Sequence, residues 1–230
     1  MWRSDEGVAP YRCSCQPIHP TKPNLKQKGA IMIFRFGNYT LDVDVECTRA
    51  FYARGDVKTT SEQCTCAGCQ NYDKAILKMP AAVTDFLESL GLDPRKPAEA
   101  FDVMGILGED GKVWYNGFYH LCGVRLQGED AWVETAKDMK HLDGDRMYAV
   151  DDDFKVSFEE AVCLLHEAFP APVLQMEFDA HLPVALADGY DPVPSAVYTV
   201  SQDEQGNVTV REEDAQSWKN PSKTDSQNDM

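Results

Sequence analysis

The sequence predicts an α+β protein in which an antiparallel sheet, meander or sandwich-like, is covered by two or three N-terminal helices. Three observations carry this expectation. After an opening hairpin the apolar residues up to Gly91 recur at helical spacing, from Phe101 to Ala187 they alternate with the strand period of two, and Gly-Glu-Asp turns punctuate the second stretch. Helices grouped before strands, rather than alternating with them, indicate the α+β class. A chain of 230 residues with 43% hydrophobic and 10% aromatic content can bury a core of its own.

Residues 1–30 are polar and proline-punctuated without either period, so a disordered leader is expected there. Lys28-Gly29-Ala30-Ile31 can be encoded by a purine-rich ribosome-binding sequence just ahead of Met32. Met32 is therefore expected to be the natural start, with Cys13 and Cys15 belonging to no site. A single α+β domain is expected over residues 31–200. It opens with IMIFRF and YTLDVDV flanking Gly37-Asn38, a hairpin signature. Alternation sorts Phe34, Phe36, Leu41, Val43 and Val45 onto sheet faces and puts Asp42 and Asp44 on the polar one. The next residues, ECTRAFYARG, suit a short helix closed by Gly55. Asn71 to Met79 reads as a helix, and a second begins at Pro80 with Val83, Phe86, Leu87 and Leu90 at core spacing before Gly91.

LDPRKPAE is a turn-rich linker. Beyond it come the strands AFDVMGIL, VWYNG, FYHLCGVRLQ, AWVETA, MYAV, FKVSF and VLQMEFDAHL. A peripheral strand or hairpin arm is expected over 201–212, and a disordered tail over 213–230.

The formal charge of −16 argues against binding to nucleic acid or anionic membrane, which needs clustered Lys and Arg, and fits a partner protein with a basic surface or simple solubility. No run approaches the roughly 20 apolar residues of a membrane span, and the first 31 residues lack the compact apolar core of a secretory signal, so export is not expected. A cytoplasmic protein with reduced thiols is expected.

Cys64, Cys66 and Cys69 are the distinctive chemistry. Three thiols cluster at the start of a helix, where negative charge is stabilised and thiolates coordinate metal. A closed zinc site wants a fourth ligand, for which Cys47, His120, Cys122 and His181 are the candidates. Zinc is preferred over an iron–sulfur cluster, with free structural thiols or a redox pair as the alternatives. His120 and His181 in strand contexts read first as hydrogen-bonded core residues. In a functional version they face one another across the sheet and form a pocket with Tyr115, Tyr119, Glu177 and Asp179, making His120, His181 and Glu177 the catalytic candidates. Alternation places His120 and Cys122 on one face of their strand, and Glu177, Asp179 and His181 on one face of theirs. Arg54-Gly55-Asp56 and Asp151-Asp152-Asp153 read as turns, and His166-Glu167 lacks the second histidine of a zinc protease. No phosphate loop, nucleophile elbow or dinucleotide fingerprint is present in the sequence.

The segments VDVECTRAF, CTCAGCQNY, LGLDPRKPAE, NGFYHLCG and QMEFDAHLP together resemble a group of small uncharacterised bacterial proteins, over roughly Met32 to Leu186. The most specific part is the Cys-x-Cys-x-x-Cys-x-Asn-aromatic block, carried by Cys64, Cys66, Cys69, Asn71 and Tyr72. The resemblance implies kinship and no activity. This chain departs from the pattern at Val184, where an aromatic is expected, and the group does not require a cysteine at position 47, which weighs against Cys47 as a ligand.

The expected function is that of a non-enzymatic binding or interaction protein, immunity-like or a mobile-element accessory, whose thiol loop is locked by zinc. The rival is a metal- or thiol-dependent enzyme that joins the Cys loop to His120 and His181. Chelation should unfold the first and only inactivate the second.

Overall fold

The computed structural model describes residues 32–190 apart from 109, 137, 138 and 188, together with strands at 197–202 and 208–213. The expectations for the leader, for Cys13 and Cys15 and for the tail beyond Glu213 lie outside these residues. β1 (Met32–Phe36) and β2 (Tyr39–Val43) form the hairpin, with Phe36 paired to Tyr39. Gly37 takes a φ of +58°, a conformation that glycine adopts without a Cβ penalty. A Cβ there would also lie 2.3 Å from the Tyr148 ring.

α1 (Val45–Tyr52) follows at once. Asp44, expected on the polar face of a strand, instead caps this helix, and its Oδ1 accepts from the Cys47 N–H at 2.9 Å. Val45 therefore belongs to the helix. The helix ends at Ala53 in right-handed conformation, without a left-handed Gly55. α2 (Thr60–Gln63), α3 (Ala67–Ala75), a 3-10 turn (Ile76–Lys78) and α4 (Ala81–Ser89) complete the helical part. Val83 and Leu87 bury the inner face of α4, as their spacing predicts.

The strands continue with β3 (Glu99–Leu107), β4 (Lys112–Gln127), β5 (Trp132–Ala136), β6 (Met139–Leu142), β7 (Tyr148–Asp151), β8 (Phe154–Glu159) and β9 (Val173–Pro183). β10 (Val197–Gln202) and β11 (Val208–Glu213) pair as a hairpin where the arm was expected. Seven strands form one sheet in the order β1-β2-β4-β9-β8-β7, with β3 also on β4, while β5–β6 is a separate ribbon. Every pairing is antiparallel. The stretches VWYNG and FYHLCGVRLQ, expected as two strands, are one strand of 16 residues. Gly117 is no break, because a Cβ there would lie 2.2 Å from the Glu99 carbonyl oxygen and 2.6 Å from the Phe178 ring. It is a point of close approach.

β4 is the spine. β9 follows one edge from Lys112 to Cys122, and the other edge is shared end to end by β3 and β2. Between them the backbone groups of His120 and Cys122 meet no strand. α1 supplies the partners. The Tyr52 hydroxyl accepts from the His120 N–H at 3.0 Å and donates to its carbonyl at 3.1 Å. Thr48 Oγ1 accepts from the Cys122 N–H at 3.0 Å, and the Asp44 N–H donates to the Cys122 carbonyl at 2.8 Å. Buried backbone groups need such partners, and here a helix stands in for a strand.

The sheet curls until its ends meet. Tyr148 of β7 lies 6.3 Å from Phe36 and 5.6 Å from Tyr39, ring to ring, and Phe86 of α4 packs 4.9 Å from Phe36. The concave face holds the core, in which Tyr115, Tyr119, Phe154, Phe158 and Phe178 pack with Tyr72, Ile76 and Leu87 from the helices. Side chains of this kind contribute about 1.5–3 kcal/mol each on burial. On the convex face the register sets His120, Gln175 and Glu159 in one row and Phe118, Glu177 and Ser157 in the next. All six are buried. Among the described residues, no helix is long and apolar enough to cross a membrane.

Candidate metal centre

Cys64, Cys66 and Cys69 converge, with their sulfur atoms all within 4.8 Å of one another. Local structure explains it. α2 ends on Cys64 in extended conformation, and two residues later Cys66 is the N-cap of α3, its Sγ accepting from the Cys69 N–H at 3.4 Å. An N-cap side chain reaches back over the first helical turn, so the third sulfur meets the other two. The Cys64 thiol is pushed down, chiefly because the Cys66 N–H and the Cys66 and Cys69 thiols hydrogen-bond to its thiolate. Burial pushes the Cys69 thiol up. Cys66 is exposed, and Cys64 and Cys69 are partly so.

Tetrahedral zinc at about 2.3 Å from each thiolate sets neighbouring sulfurs about 3.8 Å apart, within the span of this triangle. The donor set fits a thiophilic ion. The sulfurs already lie within 4.8 Å of one another, so small adjustments suffice to admit one.

The loop is bolted to the sheet by groups other than sulfur. The Tyr115 hydroxyl donates to the Gly68 carbonyl at 2.9 Å, and Thr60 Oγ1 donates to the Cys69 carbonyl at 3.0 Å. Asn71, fully buried, donates to the Tyr115 hydroxyl at 3.2 Å and the Pro183 carbonyl at 3.3 Å, and its Oδ1 accepts from the Ala185 N–H at 2.7 Å. The Tyr72 and Tyr119 hydroxyls are 2.6 Å apart, and Tyr119 donates to the Pro94 carbonyl. Asp102, bonded to the Tyr190 hydroxyl, lies 3.0 Å from where a Gly68 Cβ would stand. The asparagine and tyrosine of the Cys-x-Cys-x-x-Cys-x-Asn-aromatic block are thus anchors. Asn71→Ala leaves the Ala185 N–H without its acceptor and is expected to lower unfolding free energy by about 1–3 kcal/mol. Urea unfolding measures it, and an unchanged midpoint would show that other contacts hold the loop.

No expected fourth ligand joins. Among the described residues, no further His, Cys, Asp or Glu lies within 4.8 Å of all three sulfurs. Cys47 neighbours Cys122, whose thiol is pushed up mainly by burial, rather than the three clustered sulfurs. His120 is 2% exposed with Nε2 at 2.9 Å from the Cys163 carbonyl, and burial pushes it down to about 4. It is a neutral core histidine. His181 is exposed against Trp114, the ring centroids 6.1 Å apart.

The shared faces expected from alternation do hold, but the pocket does not form. His120 pairs with Gln175 and His181 with Trp114, six residues apart along β9 and so about 20 Å. Tyr115 and Tyr119 reach the α3 side, so alternation turns His120, Glu177 and His181 to the opposite face. The catalytic grouping of His120, His181 and Glu177 is therefore not assembled with the thiols.

Glu177 has another setting. Its Oε1 accepts from Trp132 Nε1 at 3.1 Å and Gln175 Nε2 at 2.7 Å, and burial pushes its carboxyl up to about 7. Glu159 was not anticipated. It accepts from the Ala131 N–H at 2.9 Å and is pushed up to about 7, again first by burial. Only the β8–β9 register, which sets it opposite Gln175, brings it into this row. Among the described residues, Ser157 Oγ, fully buried beside them, meets no hydrogen-bond partner.

Five of the described cysteines are free, whereas Cys163 is disulfide-bonded, contrary to the expectation that all thiols are reduced. Comparison with family models, curated proteins and solved structures finds no match to this chain.

Proposed function

We propose that this is a non-enzymatic, thiolate metal-binding protein whose Cys64, Cys66 and Cys69 hold zinc and whose acidic surface engages a basic protein partner. A cytoplasmic immunity-like or mobile-element accessory role suits that profile. The observation that carries the metal reading is the triangle of sulfurs within 4.8 Å. Soft thiolates select zinc over hard divalent ions. The partner reading rests on the net charge of −16, which steers basic surfaces and repels nucleic acid.

The anchors of the loop bypass the sulfurs, so, in place of the unfolding on chelation expected from the sequence, the domain is expected to keep its fold without zinc. Protein purified without added metal is expected to carry one zinc per chain. Chelation should then expose three reactive thiols while the melting temperature changes by only a few degrees, about 1 kcal/mol for a chain of this size. Absence of zinc with three freely reactive thiols in the isolated protein would end the metal reading. Unfolding on chelation would make zinc a structural clip instead.

A second reading has one observation in its favour. Three protein ligands and an open position are the arrangement of a catalytic zinc. With His120 and His181 turned away, the neighbouring acid–base groups are Asp102 and Tyr190 beside Gly68. Retention of zinc with loss of a hydrolytic activity in Asp102→Asn would support it.

A further inference from the structure

We propose that the Cys64–Cys66–Cys69 site takes a trivalent, three-coordinate thiophilic ion of the arsenite or antimonite class in preference to zinc. The proposal rests on the reading above that these sulfurs converge on one ion. It adds which ion they satisfy unaided.

The first argument is ligand count. No fourth His, Cys, Asp or Glu among the described residues reaches the three sulfurs, and the four candidates that the sequence offers are engaged or placed elsewhere. Zinc held here keeps an unfilled position. Trivalent arsenic bonded to three thiolates is coordinatively complete, because its remaining direction is occupied by a lone pair.

Charge gives the second argument. A divalent ion on three thiolates leaves one net negative charge, within a chain that already carries −16. A trivalent ion on the same thiolates is neutral and adds nothing to that repulsion.

Access and rigidity give the third. Cys66 is exposed, so the face of the triangle is open to a solute. Tyr115, Thr60 and Asn71 hold the loop through backbone and amide groups, so its anchoring to the sheet does not use the sulfurs.

The step balances without any redox partner. Arsenite brings three As–O bonds. Each thiol proton leaves with one hydroxide as water, so three As–S bonds form, three waters depart and no electron is transferred.

Among the described free cysteines, Cys47 and Cys122 are the competing sulfurs, and they neighbour one another. Cys122 is only 2% exposed, which sets that pair apart from the open triangle.

The test titrates sodium arsenite into the full zinc-loaded chain, with a phosphine in place of a thiol reductant. Zinc release, free-thiol count and arsenic X-ray absorption are read together. One zinc released and three thiols lost per arsenite are expected, with three sulfur neighbours and no oxygen on arsenic. Cys66→Ser and Cys69→Ser should each weaken arsenite binding by about 100-fold or more, the scale on which an intramolecular ligand outweighs a free one. Cys47→Ser should leave it unchanged, and unaltered circular dichroism in all three variants would show that folding is not the cause. Arsenic with fewer than three sulfurs, zinc that stays in place under excess arsenite, or loss of binding in Cys47→Ser would overturn the proposal. A chain that binds arsenite on three sulfurs yet takes no zinc keeps the proposal and removes the zinc reading. One that binds zinc and ignores arsenite does the reverse.

Discussion

Raising the pH from about 4.5 to about 7 is expected to destabilise this protein, with Glu159 and Glu177 as the cause. Both carboxyls lie under the convex face, and burial raises each from an ordinary 4.5 to about 7 in the folded state. In that interval the unfolded chain has released both protons while the folded chain still holds them. Linkage then requires stability to fall as pH rises. A group whose folded value is raised contributes fully below its unfolded value, and that contribution is gone above the folded one. Each carboxyl is worth about 3 kcal/mol across the window, from 1.36 kcal/mol per unit.

His120 opposes them. Its folded value is lowered from 6.5 to about 4, so it favours the folded state increasingly as pH rises from about 4 to 6.5. Between about 4.5 and 6.5 the net slope is therefore that of one carboxyl, and it steepens between 6.5 and 7. Urea unfolding across this range measures it. Glu177→Gln keeps an acceptor for Trp132 and Gln175 and should flatten the profile, making the variant more stable than the wild type at pH 8. A variant whose slope matches the wild type would remove Glu177 as a source.

The second large effect is at the gap in the sheet. Tyr52→Phe removes one oxygen and with it both hydrogen bonds to His120, leaving a buried N–H and a buried carbonyl unpaired in the spine of β4. Leaving buried groups unsatisfied costs about 1–3 kcal/mol each, so a loss of about 2–6 kcal/mol is expected in chemical denaturation. The ring itself stays, so packing changes little. A loss below 1 kcal/mol would mean that water or a shift of α1 replaces the hydroxyl. Thr48→Val, which strips the acceptor from the Cys122 N–H, should show a smaller effect of the same sign.

What the sequence discloses follows the range of each interaction. The β1–β2 hairpin is legible because Gly37-Asn38 and its flanking alternation are local signals. The thiol triangle is legible for the same reason, its three members lying within one turn and one cap. Asp44 misleads because a strand's alternating acid and a helix cap look alike when the boundary is unknown. Gly117 misleads because a glycine that admits a neighbouring backbone is indistinguishable in sequence from one that ends a strand. The fourth ligand could not be read at all. Alternation tells that His120 and Cys122 share a face, but which face the helices cover is decided by long-range packing.

The bolting of the cysteine loop has a consequence for how the site can vary. A metal finger must use much of its ion's affinity to order the peptide around it, so swapping the ion risks melting the fold. Here the scaffold arrives already set by Asn71, Tyr115 and Thr60, none of which touches an ion. Replacing, removing or adding a sulfur therefore retunes selectivity on an intact frame, and measured affinities report donor chemistry directly.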